Sequence, residues 1–572
     1  MTNILMRNKA NNITSRVPQV KLPRSIFPIQ KWRKQTMKAG YLYPIFCEEV
    51  LPSDTWILNT QNFIRLNTQV VPPIDNLQVK TYFFFVPSRL VWDNFAKQHG
   101  ERKNPNDTID YITPSITYPN GIPVGSIADY MGKTRTGIAN NKINALPLRA
   151  YNLIWNEYFR AELIQDSLTV NTGDADDSPN IYNLAKKAKM HDYFTDCLPT
   201  LQLGEQVNIP LGTTAPVVGN GNAIGLVQIN KDPNNNSILP LIGTTIFEGG
   251  TPTTTSGVLA HGTAQIGPVK INTSMSVANG DGSGNTNTGI ALGLSPNSKA
   301  SGLTADLSAA VSATISAMRL AIDTQEILER DNRNGVRYTE QLAGRYGALN
   351  PDLRLQRPQY LGGTVQPLFT TPVVQTSSTN TTTPQGNLAG YGVTGDSSKN
   401  TIKASFGEFG YIIGLACVQA VPQYQQGQGK MWDRWERYDY YYPEFNGLSD
   451  QAVKNKEIFL TGNEETDNAT FGYIGRYDEY RYFNNEICGE LRSDYEKSLD
   501  SWHYAEKFEN TPTLSSEFIE DDTDEILKRS LVVQNNSDGT TAEQMIAEFN
   551  YNGGVARVMP SKATPQTGGR IL

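Results

Sequence analysis

Four histidines (His99, His191, His261, His503) and four cysteines (Cys47, Cys197, Cys417, Cys488) are the side chains from which this 572-residue chain could build nucleophilic or zinc chemistry. A nucleophilic triad needs a histidine beside a serine or cysteine and a carboxylate, and none of the four sits in a nucleophile-elbow context. Zinc needs Cys and His at short spacing, and no CxxC pair or tight cluster occurs. The cysteines read as free, mostly buried thiols in a reducing compartment rather than as a disulfide framework. Gly427-Gln428-Gly429-Lys430-Met431 lacks the length and the Ser/Thr of a phosphate-binding loop, and Gly219-Asn220-Gly221 does not meet dinucleotide spacing or open a helix. The carboxylate pairs Glu48-Glu49 and Asp521-Asp522 are adjacent, which points them apart in a strand. No site passes the first steps toward catalysis, so the chain is expected to be no enzyme and to hold no cofactor or metal.

The charges suggest a different chemistry. The first 47 residues carry nine cations (Arg7, Lys9, Arg16, Lys21, Arg24, Lys31, Arg33, Lys34 and Lys38) and no Asp or Glu, on a chain of net charge −7. Pro18, Pro23 and Pro28 interrupt the stretch and no helical apolar stripe runs through it. Residues 1–47 therefore read as a basic arm that cannot offset its own ordering entropy by burial. Such an arm touches nucleic acid or laces subunits together, and both readings stay open. The chain also ends basic, with Arg557, Lys562 and Arg570 after the last acid at Glu548.

The elements that would position such surfaces are mainly β. In Phe63–Val70, Ile64, Leu66, Thr68 and Val70 share one face, and in Leu77–Val86 so do Leu77, Val79, Thr81, Phe83 and Phe85. The period of two and the intervening Pro72, Pro73, Asp75 and Asn76 predict neighbouring antiparallel strands. Tyr411–Val421 is apolar on both faces, as in a strand covered on both sides. A helix is predicted from Leu148 to about Gln165, with Pro147 in its first turn. A second is predicted from about Ala305 to Glu329, capped by Thr304, with Leu307, Val311, Ile315, Met318 and Ile322 as ordinary core. Gly204–Ala300 differs in texture, with 16 Gly, one aromatic residue and no Arg. It reads as an inserted, mostly β protrusion whose short apolar islands need copies of itself to be buried. Residues 48–203 and 301–572 then form the two parts of one core, the second ending in the basic tail.

Met431–Phe483 is dense in aromatics and arginine. Trp432, Arg434, Trp435, Arg437, Tyr440, Tyr441, Arg476, Tyr477, Tyr480 and Arg481 are candidate subunit-interface residues, because these types are enriched where proteins meet and can form cation–π contacts. The most apolar stretch is too short to span a membrane, so no membrane insertion is expected.

Ordered blocks along the chain resemble the major capsid protein of Microviridae, of the gokushovirus type. They include Gly40-Tyr41-Leu42-Tyr43-Pro44, Glu49-Val50-Leu51-Pro52-Ser53-Asp54-Thr55, Phe84 to Trp92, and Asn144 to Glu157. Arg24-Ser25 with Phe27, Leu328-Glu329-Arg330-Asp331, Arg337-Tyr338, Gln356-Arg357-Pro358 and Leu361-Gly362-Gly363 belong to the same series. So do Gly472-Tyr473, Arg476-Tyr477, Glu479-Tyr480-Arg481-Tyr482 and Trp502-His503. The family usually has Gly at Ser53 and Glu at Gln359. The resemblance implies an eight-stranded antiparallel jelly-roll barrel with long loop and helical insertions. It also implies sixty copies in a small icosahedral (T=1) shell around circular single-stranded DNA of a bacteriophage. The variable insertion would form threefold protrusions for host attachment, with Asn234, Phe247, Thr254, His261 and Asp281 as candidate contacts to a bacterial cell-surface receptor. Implied partners are a small basic DNA-packaging protein, an internal scaffolding protein and a DNA pilot protein. The implied location is the virion, and the host bacterial cytoplasm during assembly.

The rival from another class is a secreted β-rich carbohydrate-binding or polysaccharide-degrading protein, whose Tyr/Trp surfaces would stack on sugars. The absence of an apolar export-signal stretch at the N-terminus counts against it.

Overall fold

The computed structural model describes residues 24–104, 106–133, 138–204, 315–334, 356–374, 388–537 and 539–562, with a few short pieces between 207 and 376. Eight strands make the main sheet: β1 (Ser25–Met37), β2 (Tyr43–Val50), β3 (Thr55–Leu66), β4 (Leu77–Pro87), β5 (Gln359–Val374), β6 (Leu388–Ser405), β7 (Gly410–Gln419) and β8 (Met545–Arg557). All neighbours are antiparallel, in the order β1-β8-β3-β6-β5-β4-β7-β2. First pairs with eighth, second with seventh, third with sixth and fourth with fifth. A long hairpin rolled up on itself gives these pairings, so the fold is the expected jelly roll, nearly closed into a barrel.

The strand at Leu77 alternates as expected, with Leu77, Val79, Thr81, Phe83 and Phe85 all buried. Ile64 and Leu66 are buried as well, but β3 ends at Leu66 and Val70 is exposed. The two strands are not neighbours, contrary to expectation. The sheet places β6 and β5 between them, because in the rolled hairpin β3 pairs with β6 and β4 with β5.

Inside the barrel, Phe46 meets Tyr551, Phe83 and Trp56 at ring-centroid distances of 4.8, 6.3 and 6.3 Å. Burying each such ring contributes about 2–3 kcal/mol. The outer face of β4 and β7 is covered too. Phe84, Val86, Ile413, Leu415 and Cys417 join Tyr151, Ile154 and Trp155 of helix α1 (Leu146–Tyr158) in a second core. That double cover explains the unbroken apolar run at Tyr411–Val421. Helix α1 stops at Tyr158 rather than near Gln165, because the Gln165 side chain turns back and accepts from the Ala161 backbone N–H at 2.8 Å.

Two backbone positions hold the barrel's geometry. Gly363 lies against β4, where a Cβ would run into the Thr81 carbonyl oxygen. Ser53, in the turn between β2 and β3, has φ 71, a left-handed conformation that glycine adopts without cost. That accounts for the glycine usual at this position in the family it resembles.

The chain divides into two compact units, Met1–Gly204 with Leu328–Leu572, and Glu205–Ile327. In the second, Leu226–Asn230 pairs with Thr288–Leu292 and Ile238–Pro240, and Val217–Gly219 pairs with Leu303–Ala305. Thr304 is thus in a strand and caps no helix. Helix α2 runs Ile315–Asn334, starting later than expected; Leu307 and Val311 lie outside the described residues. Ile315, Met318 and Ile322 are 72, 48 and 56% exposed rather than core. Helical spacing reveals which side is apolar, but not what covers it.

Candidate functional site: charged and aromatic surfaces

The basic segment is not a uniform arm. Arg7, Lys9, Arg16 and Lys21 lie outside the described residues. From Ser25 onward the segment is barrel strand, which corrects the expectation that residues 1–47 stay unburied. Arg24 donates to the carbonyl of Ser53, to Thr55 Oγ1 at 2.9 Å and to the Ala556 carbonyl at 3.3 Å. Lys31 pairs with Glu48. Arg33 donates to Gln35 Oε1 at 3.0 Å and to the Ile45 carbonyl at 3.1 Å. Lys34 points outward, 3.8 Å from Glu548, and Lys38 is half-buried. The partners of β1 lie 12 to 532 residues away in the chain, which is why composition alone misread it. Pro28, Lys31 and Lys34 also blunt a strand at the end of the sheet order against pairing with another chain. At the other end of the chain, Arg557 is tied to Asp54 Oδ2 at 2.9 Å and to the Glu49 carbonyl at 2.9 Å.

The aromatic and arginine residues come together through cation–π contacts. Arg434 lies 4.4 Å from the Tyr480 ring centroid and 5.9 Å from that of Tyr440, and pairs with Glu479 at 3.0 Å. Tyr441 packs edge-on against Tyr477 and Tyr480. Arg437 stacks on Tyr438 and Tyr442, and Arg476 on Tyr477 and Phe445. Arg481 pairs with Asp478. Tyr477, expected at an interface, is buried and has left-handed backbone with φ 64; its hydroxyl accepts from the Tyr442 backbone N–H at 3.3 Å. With the nearly buried Arg434, it supports the surface rather than forming it. Trp432 and Trp435 are 64 and 81% exposed and line a cleft of about 770 Å³ with Tyr424, Asn485 and Arg492. Phe483, not among the expected contacts, is 93% exposed.

Charge is also buried deep beside the barrel. Lys189 Nζ meets Glu506 Oε2 at 2.8 Å with both side chains buried. Burial, against the opposing pull of Lys189, pushes the Glu506 carboxyl up to about 7, and burial raises Asp521 and Asp524 as well. The folded state therefore holds the Glu506 proton to higher pH than the unfolded chain does. Between about pH 4.5 and about pH 7 it binds more protons, so this group's contribution falls as pH rises through that window. Glu506→Gln is expected to flatten a decline of at most about 1.4 kcal/mol per pH unit, measured as urea midpoints at about pH 5 and about pH 8. An unaltered decline would remove Glu506 as its source.

The described histidines are held by local partners. His503 accepts from the Ala505 backbone N–H at Nδ1 and contacts the Leu491 carbonyl through Nε2. His191 is paired with Asp196. All four cysteines are free, with Cys488 exposed. Among the described residues, no group of three or more His, Cys, Asp or Glu is placed to hold a metal, and no helix is long and apolar enough to cross a membrane. Asn234, Phe247, Thr254, His261 and Asp281 lie outside the described residues.

The model of the family described as "Capsid protein (F protein)" matches residues 15–567. The chain belongs to this family. It is 40% identical over 566 residues to capsid protein VP1 of Bdellovibrio phage phiMH2K, covering 97% of this chain and 98% of that protein. It is 37% identical to capsid protein VP1 of Chlamydia phage 1, covering 97% of each chain. It is 32% identical to capsid protein VP1 of Spiroplasma virus 4, covering 98% of this chain and 99% of that one. A nearly closed jelly roll and full-length similarity to capsid proteins together make this chain the major capsid protein of a phage of the Microviridae. Nothing in these comparisons supports a secreted carbohydrate-binding protein.

Proposed function

We propose that sixty copies of this capsid subunit close into a small icosahedral shell around circular single-stranded DNA and that it performs no catalysis. Assembly takes place in the host bacterial cytoplasm with a small basic DNA-packaging protein, an internal scaffolding protein and a DNA pilot protein. The insertion at 204–300 builds threefold protrusions that contact a bacterial surface receptor.

The observation that supports the shell reading is the set of large exposed rings in the segment after β7: Trp432, Trp435, Tyr440, Tyr441 and Tyr480. Closed symmetric assemblies need self-complementary or paired patches on each subunit, and arginine-braced aromatics are the residues that fill them. Particle mass tests it. A sixty-subunit shell of 63.3 kDa chains weighs about 3.8 MDa in protein; particles of some other fixed stoichiometry would overturn the count.

The DNA reading rests on the cations that precede β1. Neutralising Arg7, Lys9, Arg16 and Lys21 together is expected to reduce the salt dependence of DNA binding by about 0.7 in log–log slope per charge removed. It is also expected to lower the DNA content of filled particles. If only empty-shell assembly changes, the segment laces subunits and does not hold DNA.

A further inference from the structure

One face of the barrel carries an ordered set of side chains that the shell reading leaves without a role. On β1, β8, β3, β6 and β5 alternate residues point away from the core, and the antiparallel registers determine their neighbours. Trp32 stands opposite Asn550, and Asn550 opposite Gln61. The next row reads Lys34, Glu548, Phe63, Gly395. The row after it reads Thr36, Ile546, Arg65, Val393, Phe369. Trp32, Phe63 and Phe369 thus lie on one diagonal, each step two strands across and two residues along. Strand spacing and rise make each step about 12 Å. The three rings are 67, 44 and 54% exposed.

Polar and cationic side chains adjoin these rings, with Ile546 and Val393 as apolar neighbours. Lys34 follows Trp32 on the same strand face, and Arg65 follows Phe63. The Arg65 guanidinium lies 5.7 Å from the Phe63 ring centroid and 5.6 Å from that of Tyr391. Between the rings, Asn550 donates to Gln61 Oε1 at 3.2 Å. At the outward positions described on these strands, the cations Lys34, Arg65 and Lys403 face the single carboxylate Glu548, on a chain whose net charge is −7.

We propose that this face binds an unpaired nucleic-acid strand, with bases stacking on Trp32, Phe63 and Phe369 and phosphates held by Lys34 and Arg65. The proposal rests on the reading that the shell encloses single-stranded DNA and gives that DNA a seat. A protein partner fits less well. Rings about 12 Å apart are beyond the 4.5–7 Å at which aromatic side chains pack on one another. Asn550 and Gln61 lie between Trp32 and Phe63, so these rings form separate platforms, while Ile546 and Val393 share the row of Phe369. Aromatic rings standing on a sheet face, each with a neighbouring cation, suit sequence-tolerant stacking on single strands.

The test uses the full chain, oligothymidylate, and an abasic phosphodiester of equal length, with binding read by fluorescence anisotropy. Trp32→Ala with Phe63→Ala is expected to weaken oligothymidylate binding at least about tenfold and to leave the abasic oligomer within about twofold. Lys34→Gln with Arg65→Gln should weaken both. In the unmodified protein, an oligomer carrying 5-iodouracil should photocrosslink to peptides containing Trp32, Phe63 or Phe369, a readout that does not depend on any variant folding. Unchanged oligothymidylate affinity, an equal loss on the abasic oligomer, or crosslinks confined to other peptides would each overturn the proposal. Loss of shell assembly with intact oligothymidylate binding would assign the face to a protein instead. If the unmodified protein bound no single strand at all, the wider DNA reading would fail with it; binding with crosslinks elsewhere would sink only this seat.

Discussion

Arg149→Ala is expected to lower the stability of the dissociated subunit by about 3–5 kcal/mol, measured by urea denaturation, because it strands a buried carboxylate. Arg149 comes from α1, and both it and Asp177 are fully buried. Its guanidinium donates to Asp177 Oδ2 at 2.7 Å and Oδ1 at 3.0 Å, and to the carbonyls of Val91, Gly173 and Ala175 at 3.0–3.1 Å. All five donors of the planar fork are used. Burial alone would raise the Asp177 carboxyl, but Arg149, Asn171 and Tyr182 outweigh it and hold it below the ordinary value. The pair ties the loop at 171–177 and the segment after β4 to α1, which closes the second core over β4 and β7. Arg149→Lys is not expected to rescue, since a point charge cannot reproduce the fork. Arg149→Met with Asp177→Leu should recover much of the loss, because removing both charges leaves nothing unpaired. A loss below about 1 kcal/mol for Arg149→Ala would contradict this assignment.

Deleting Gly212–Gly293 is expected to leave shell assembly intact while host-cell adsorption falls to background. The deleted stretch lies within the Glu205–Ile327 unit, and none of the eight barrel strands falls in it. Shells counted by sedimentation and the cell-bound fraction of particles are the two readouts. Unchanged adsorption would remove the protrusion from receptor contact.

Local alternation carried much of the fold in the sequence. The inward face of β4 could be read from its alternation, because period-two burial is decided within a few residues, and the double cover of β7 from its unbroken apolar run. Pairing could not be read, since β1 finds β8 more than 500 residues away and β3 and β4 separate around the barrel. The charge of residues 24–38 concealed a strand because Lys31 and Arg33 are satisfied by Glu48 and the Ile45 carbonyl, partners that composition cannot reveal. Among the aromatic and arginine residues singled out in the sequence, Arg434, Tyr440 and Tyr480 meet within the subunit. The sequence could not tell that Tyr477 is buried, which depends on a left-handed turn. The Phe63 and Arg65 face was visible as the polar side of an alternating strand. Its alignment with Trp32 and Phe369 exists only in the register.

Self-assembly is tested most directly by electron microscopy of the purified full chain, produced alone and together with the scaffolding protein proposed above. Closed isometric particles of one size are expected. Dispersed single subunits that never close into shells, even with that partner present, would contradict the account.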